Sequence, residues 1–209
     1  MKQFWKSYHV FLPQIWLKLL VYVGYPLVVL GLTGFFVDVT KSVVASCSLA
    51  GGLIVSLELL LDGLVFEGIA SKDTNKLEYL KTSVRGMKTL RNSIVIDAIR
   101  RVISAMIVLG ALCAMSHGAI GLPQVLVTLF ITLGCTELGL MVTRSITVMM
   151  GMLVSVYLGA PLCINAVEMV LSGGNIWIRM GITCICYLLI VIIGRIMIMR
   201  KARGSYYDK

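Results

Sequence analysis

The chain has 209 residues, 58% of them hydrophobic and only 14% charged, with a mean hydropathy of +0.94 and a formal net charge of +9. Soluble domains average about 45–50% apolar and about 25% charged residues, so this composition argues against a soluble globular domain and for a chain that lives in a bilayer. The basic excess, 19 Lys and Arg against 10 Asp and Glu, makes the placement of those cations the first question.

The opening MKQFWKSYHVFLPQIWLK has Lys6, His9, Gln14 and Lys18 where a cleavable signal needs an uninterrupted apolar core, so the first apolar segment is expected to be retained. Phe4, Trp5, Tyr8, Phe11 and Leu12 recur at helical spacing with Lys2, Gln3, Lys6 and Ser7 on other sides. That pattern predicts an interfacial lead-in helix over residues 1–13, ending at Pro13.

A spanning helix needs roughly 20 apolar residues. Six segments qualify: Ile15–Val37, Ser42–Phe66, Val102–Met115, Ile120–Val142, Ile146–Leu171 and Ile176–Met199. The third gains length by continuing back through Ile94, Val95, Ile96 and Ile99, and the fifth is interrupted by Gly159 and Pro161, which predicts a bend or a span followed by a short dipping segment. The expected fold is all-α, a single transmembrane domain over residues 1–209 with six transmembrane helices. With both termini cytoplasmic, the inner side receives 16 of the 19 basic residues, whereas the outer loop Ser116–Gln124 has none. This asymmetry predicts a multi-pass protein of the cell (plasma) membrane.

The connection over residues 67–101 is the long hydrophilic one, and eight Lys and Arg fall between Lys72 and Arg101. Asn75 followed by Glu78 reads as an N-cap with an acidic residue three positions on. Leu77, Leu80, Val84 and Met87 form an apolar stripe from which Lys76, Lys81, Arg85 and Lys88 are displaced. Asn92-Ser93 is expected to stop this amphipathic helix and cap the next, and Asp97 with Arg101 forms an i, i+4 pair at the mouth of the third span. Such a helix suits either an anionic lipid surface or a groove on a cytoplasmic partner. Nucleic acid is not expected, because the cations lack interleaved stacking aromatics.

Six spans, cytoplasmic termini, a lead-in helix and one substantial cytoplasmic helix between spans two and three resemble an ABC-2-type transporter permease. The matching text is Phe66–Arg101, where Glu67-Gly68 and Tyr79-Leu80-Lys81-Thr82-Ser83-Val84-Arg85 stand where that family has an acidic residue and Gly after span two and a turn into span three. The resemblance implies a permease subunit of an ATP-binding-cassette exporter. It implies a separate cytoplasmic ATPase subunit that binds the ATP, a second permease subunit in a homo- or heterodimer, and a coupling segment at Asn75, Glu78, Leu80, Lys81, Val84, Arg85, Met87, Lys88 and Arg91. Pro161–Asn175 stands where the family places a longer re-entrant helix pair.

No HExxH, GxSxG, Walker-type or paired-Asp motif occurs, so neither enzymatic activity nor a cofactor is expected in this chain. The six cysteines lie in apolar runs and read as packing residues. Ionisable groups inside spans are costly and mark function or helix pairing. Glu58 and Asp62 share a face of span two, and Glu137, Arg144 and Arg195 fall at a similar depth, where acids would neutralise arginines. Glu168 and Arg179 are expected to pair near the outer ends of spans five and six. A proton- or ion-coupled secondary transporter working through Glu58, Asp62 or Glu137, and a non-transporting membrane scaffold or assembly protein, are the alternative readings.

Overall fold

The computed structural model describes residues 15–40, 42–65, 83–116, 118–143 and 148–207, and these are all-helical, without strands. The elements are α1 (Ile15–Leu19), a π-helical turn (Leu20–Gly24), α2 (Tyr25–Thr40), α3 (Val43–Val65), α4 (Val84–Met115), α5 (Leu122–Thr143), α6 (Val148–Leu171) and α7 (Ile176–Tyr207). Four helical stretches are long and apolar enough to cross a membrane: Val43–Gly63, Val84–Met115, Leu122–Val142 and Ile176–Ile198. They coincide with the second, third, fourth and sixth expected spans. The first and fifth contribute shorter described apolar stretches, Leu20–Phe35 and Tyr157–Leu171. The lead-in helix over residues 1–13 lies outside the described residues.

The π turn has a local cause. Pro26 has no N–H with which to continue the helical ladder, and the Tyr25 N–H bonds instead to the Leu20 carbonyl, one residue further back than in an α-helix. The helix axis carries on, and Val21, Tyr25 and Val29, four residues apart, form its buried face.

α5 is the centre of the bundle and touches α3, α4, α6 and α7. Of its apolar window 67% is buried, against 11% for Ile176–Ile198 of α7, which packs chiefly on α5. The closest pairing is α3 with α6. Between helices in a membrane the drive is packing rather than exclusion of water, so small residues mark the tight crossings. A Cβ on Gly51 would stand 2.8 Å from the Thr132 hydroxyl and 3.1 Å from the Cys163 sulfur, and one on Gly139 would stand 2.7 Å from Leu59 Cδ2. Gly51 and Gly52 therefore serve α5 and α6. Of the glycines of the first apolar segment, Gly34 meets Met115 of α4, where a Cβ would stand 3.6 Å from its sulfur, whereas Gly31 faces open space and Gly24 meets only its own helix.

α4 departs from expectation in one respect. No break occurs at Asn92-Ser93. The Ser93 hydroxyl donates back to the Thr89 carbonyl at 2.8 Å, within the helix, and Ser93 is fully buried. With its hydroxyl satisfied one turn behind and its small side chain packed, serine continues a helix rather than capping a new one. The N-cap is Ser83, extended at φ −114° and ψ 145°, whose hydroxyl accepts from the Gly86 N–H at 2.9 Å. The 32 residues that follow span about 48 Å at about 1.5 Å per residue, well beyond a hydrocarbon layer of about 30 Å.

Proline does not break α6 either. The helix runs through Pro161 to Leu171. At the far end of α4, the turn into α5 depends on Gly118, whose φ of +87° a side chain would resist. There the Ser116 hydroxyl accepts from the Ile120 N–H at 3.2 Å, closing the connection.

Candidate functional site

The exposed side of α4 changes character along its length. Arg85, Lys88 and Arg91 are exposed near its start, while Ile99, Ile103, Met106 and Ile107 are exposed further on. Met87 packs against the core beside buried Leu90 and Ile94, and Val84 is 90% exposed. Of the expected apolar docking stripe, then, Val84 is free, whereas Met87 already belongs to the bundle. Asn75, Glu78, Leu80 and Lys81 lie outside the described residues.

About two and a half turns beyond Arg91 the charges turn inward. Arg100 and Arg101 are 7% and 2% exposed, although Ile99 and Ile103 beside them are 41% and 51% exposed. Charge inside and hydrocarbon outside is the arrangement a bilayer demands. Arg100 reaches across to α3 and grips Glu58 with both terminal nitrogens, at 3.1 and 2.6 Å, a bidentate pair. Its Nε and Nη2 also donate to Asp97 Oδ1, each at 3.2 Å.

Arg101 is held quite differently. Its Nη2 lies 2.7 Å from Asp97 Oδ2 and 3.8 Å from Glu137 Oε1 on α5. Yet none of its three side-chain nitrogens makes a hydrogen bond, although all are buried. The Tyr25 hydroxyl on α2 is buried beside Glu58, and Arg195 Nε on α7 is buried without a hydrogen-bonding partner among the described residues. Tyr187 on α7 lies within electrostatic reach of Glu137, Arg101 and Arg195, and Asp62, buried one turn after Glu58, within reach of Arg101. Helices α3, α4 and α5 thus meet at one buried network of carboxylates and guanidinium groups, edged by α2 and α7.

Of the intramembrane groups singled out in the sequence, Glu58, Asp62 and Glu137 lie within electrostatic reach of Arg101 and Arg195 within reach of Tyr187, and the Asp97–Arg101 pair forms. Sequence reasoning misses Arg100 and Arg101 as the cations that answer Glu58 and Glu137, because it leaves both at the edge of a loop. The signal was present: the text IVIDAIRRVI embeds two arginines in apolar residues, and buried carboxylates on neighbouring helices require cations. Arg144 lies outside the described residues.

The expected Glu168–Arg179 pair does not form. Arg179 Nη1 donates to the carbonyls of Met169 and Val170, at 3.1 and 2.9 Å, capping the last turn of α6. Those end-of-helix acceptors, at the negative end of the helix dipole, attract the guanidinium. Glu168 instead accepts from the Ser48 hydroxyl at 3.3 Å. All six cysteines are free thiols. An apolar recess of about 170 Å³ opens between α5 and α6, lined by residues such as Cys135, Gly139 and Leu158.

Comparison with protein-family models, with curated proteins and with solved structures finds no match to this chain. The chemistry of the site therefore rests on its own geometry: fixed charge that ties α4 firmly to α3 and loosely to α5.

Proposed function

We propose that this membrane protein is the permease subunit of an ATP-binding-cassette exporter of ABC-2 type, driven by a separate ATPase. In this reading it has six spans, both termini in the cytoplasm, a place in the plasma membrane and a second permease subunit as its dimer partner. The observation that carries the reading is the continuity of α4. One uninterrupted helix runs from the exposed Arg85, Lys88 and Arg91 to the buried Arg100 and Arg101. A push on the basic end then reaches α3 through the Arg100–Glu58 clamp without loss at a hinge. Export as the direction comes from the family resemblance.

The test is binding and coupling. The purified protein, mixed with the ATPase encoded beside it, is expected to stimulate ATP hydrolysis in nanodiscs. Combined Arg85→Glu, Lys88→Glu and Arg91→Glu substitution is expected to abolish that stimulation while the thermal unfolding of the membrane protein stays put. Stimulation that survives all three reversals would remove the reading.

A second reading, a proton-coupled secondary transporter, draws on Glu137, whose nearest cation stands 3.8 Å away in a buried setting. Transport that persists without ATP and stops when the proton gradient collapses would select it.

A further inference from the structure

Two adjacent arginines on α4 share Asp97 and are fastened unequally. Arg100 completes hydrogen bonds to Glu58 and Asp97, so the join between α4 and α3 is saturated. Arg101 is 2% exposed and completes none. Buried side-chain donors are ordinarily hydrogen-bonded, and a guanidinium held by one 2.7 Å ion pair with no aligned hydrogen bond calls for a physical explanation. Beyond Asp97, Glu137 on the central helix stands at 3.8 Å, just outside bonding distance, with Asp62 also within electrostatic reach.

We propose that Arg101 is a two-position latch between α4 and α5. In the position seen here its charge rests against Asp97, on its own helix. In the other it leaves Asp97, closes on Glu137 and draws α5 toward α4, while the Arg100–Glu58 clamp stays shut. Asp97 keeps its two hydrogen bonds from Arg100 in both positions, so the exchange leaves it hydrogen-bonded, with Arg100 then serving two carboxylates and Glu137 gaining the charge that Asp97 gives up. Because α5 also packs on α6 and α7, closing the latch shifts α5 relative to those helices. The proposal goes beyond the transporter reading and stands apart from it, since the latch is a property of this chain alone.

The test uses the full chain in nanodiscs without ATPase or substrate. Spin labels are introduced through non-natural residues at Ile103 and Leu138, both exposed, so the native cysteines stay untouched. The wild-type distance distribution is expected to hold two components. Asp97→Asn, which releases Arg101, shifts it toward the shorter one. Glu137→Gln, which removes the second acceptor, collapses it onto the longer one, and Glu137→Asp does so in part. If Asp97→Asn does not fold, the comparison of wild type with the two Glu137 variants decides. A static ion cluster predicts a single wild-type distance that both carboxylate substitutions merely broaden, and that result overturns the latch.

Discussion

The two ends of α4 carry the same kind of residue under opposite conditions. Arg85, Lys88 and Arg91 stand exposed, whereas Arg100 and Arg101, only a few turns on, are enclosed by α3 and α5. In water an exposed cation contributes little, with surface pairs worth about 0–1 kcal/mol. Inside, each charge has lost its hydration and depends on its partners, so breaking a pair leaves a neighbour stranded. Residue type thus says little about a cation's energetic role; the neighbours supplied by other helices decide it.

The sharpest way to break this comparison is to delete Arg100. Arg100→Ala strands Glu58 and is expected to destabilise the protein by about 3–5 kcal/mol, read from unfolding in mixed detergent micelles. Replacing Arg100 and Glu58 together by leucine should restore most of that loss, since an apolar pair of similar volume avoids desolvation altogether. If the double substitution is as damaging as the single one, geometry rather than charge burial governs the site.

A smaller effect is expected at the helix start. Ser83→Ala removes the oxygen that accepts from the Gly86 N–H, which costs about 1 kcal/mol and should raise hydrogen exchange over the first turn of α4 alone. Smallest of all, single charge reversals at Arg85, Lys88 or Arg91 should change stability by no more than about 0.5 kcal/mol. A larger change at any of the three would mean that the basic end is already engaged within the bundle.

The sequence and structure agree where a contact depends on spacing along one helix. Glu58 and Asp62 share a face, and Asp97 meets Arg101, because positions four apart always do. The apolar runs likewise yield the helices, since length and hydropathy are local. Agreement ends where partners come from different helices. Nothing local to Arg100 announces Glu58, 42 positions away, because helix rotation and packing choose the pair. Arg179 shows the same limit: it lies near Glu168, yet the free carbonyls of α6 win it. Ser93 errs in the other direction, since Asn-Ser reads as a cap by composition, while burial against the bundle keeps the helix going.

Helix α7 leans on essentially one neighbour and offers most of its circumference to hydrocarbon, from Trp177 through Ile185 and Leu189 to Met197. With so little packing to fix its inclination, a mismatch between its apolar length and the surrounding lipid meets little resistance. A thinner bilayer would tip this helix and, through Met141 where it meets Gly194, rock the central helix.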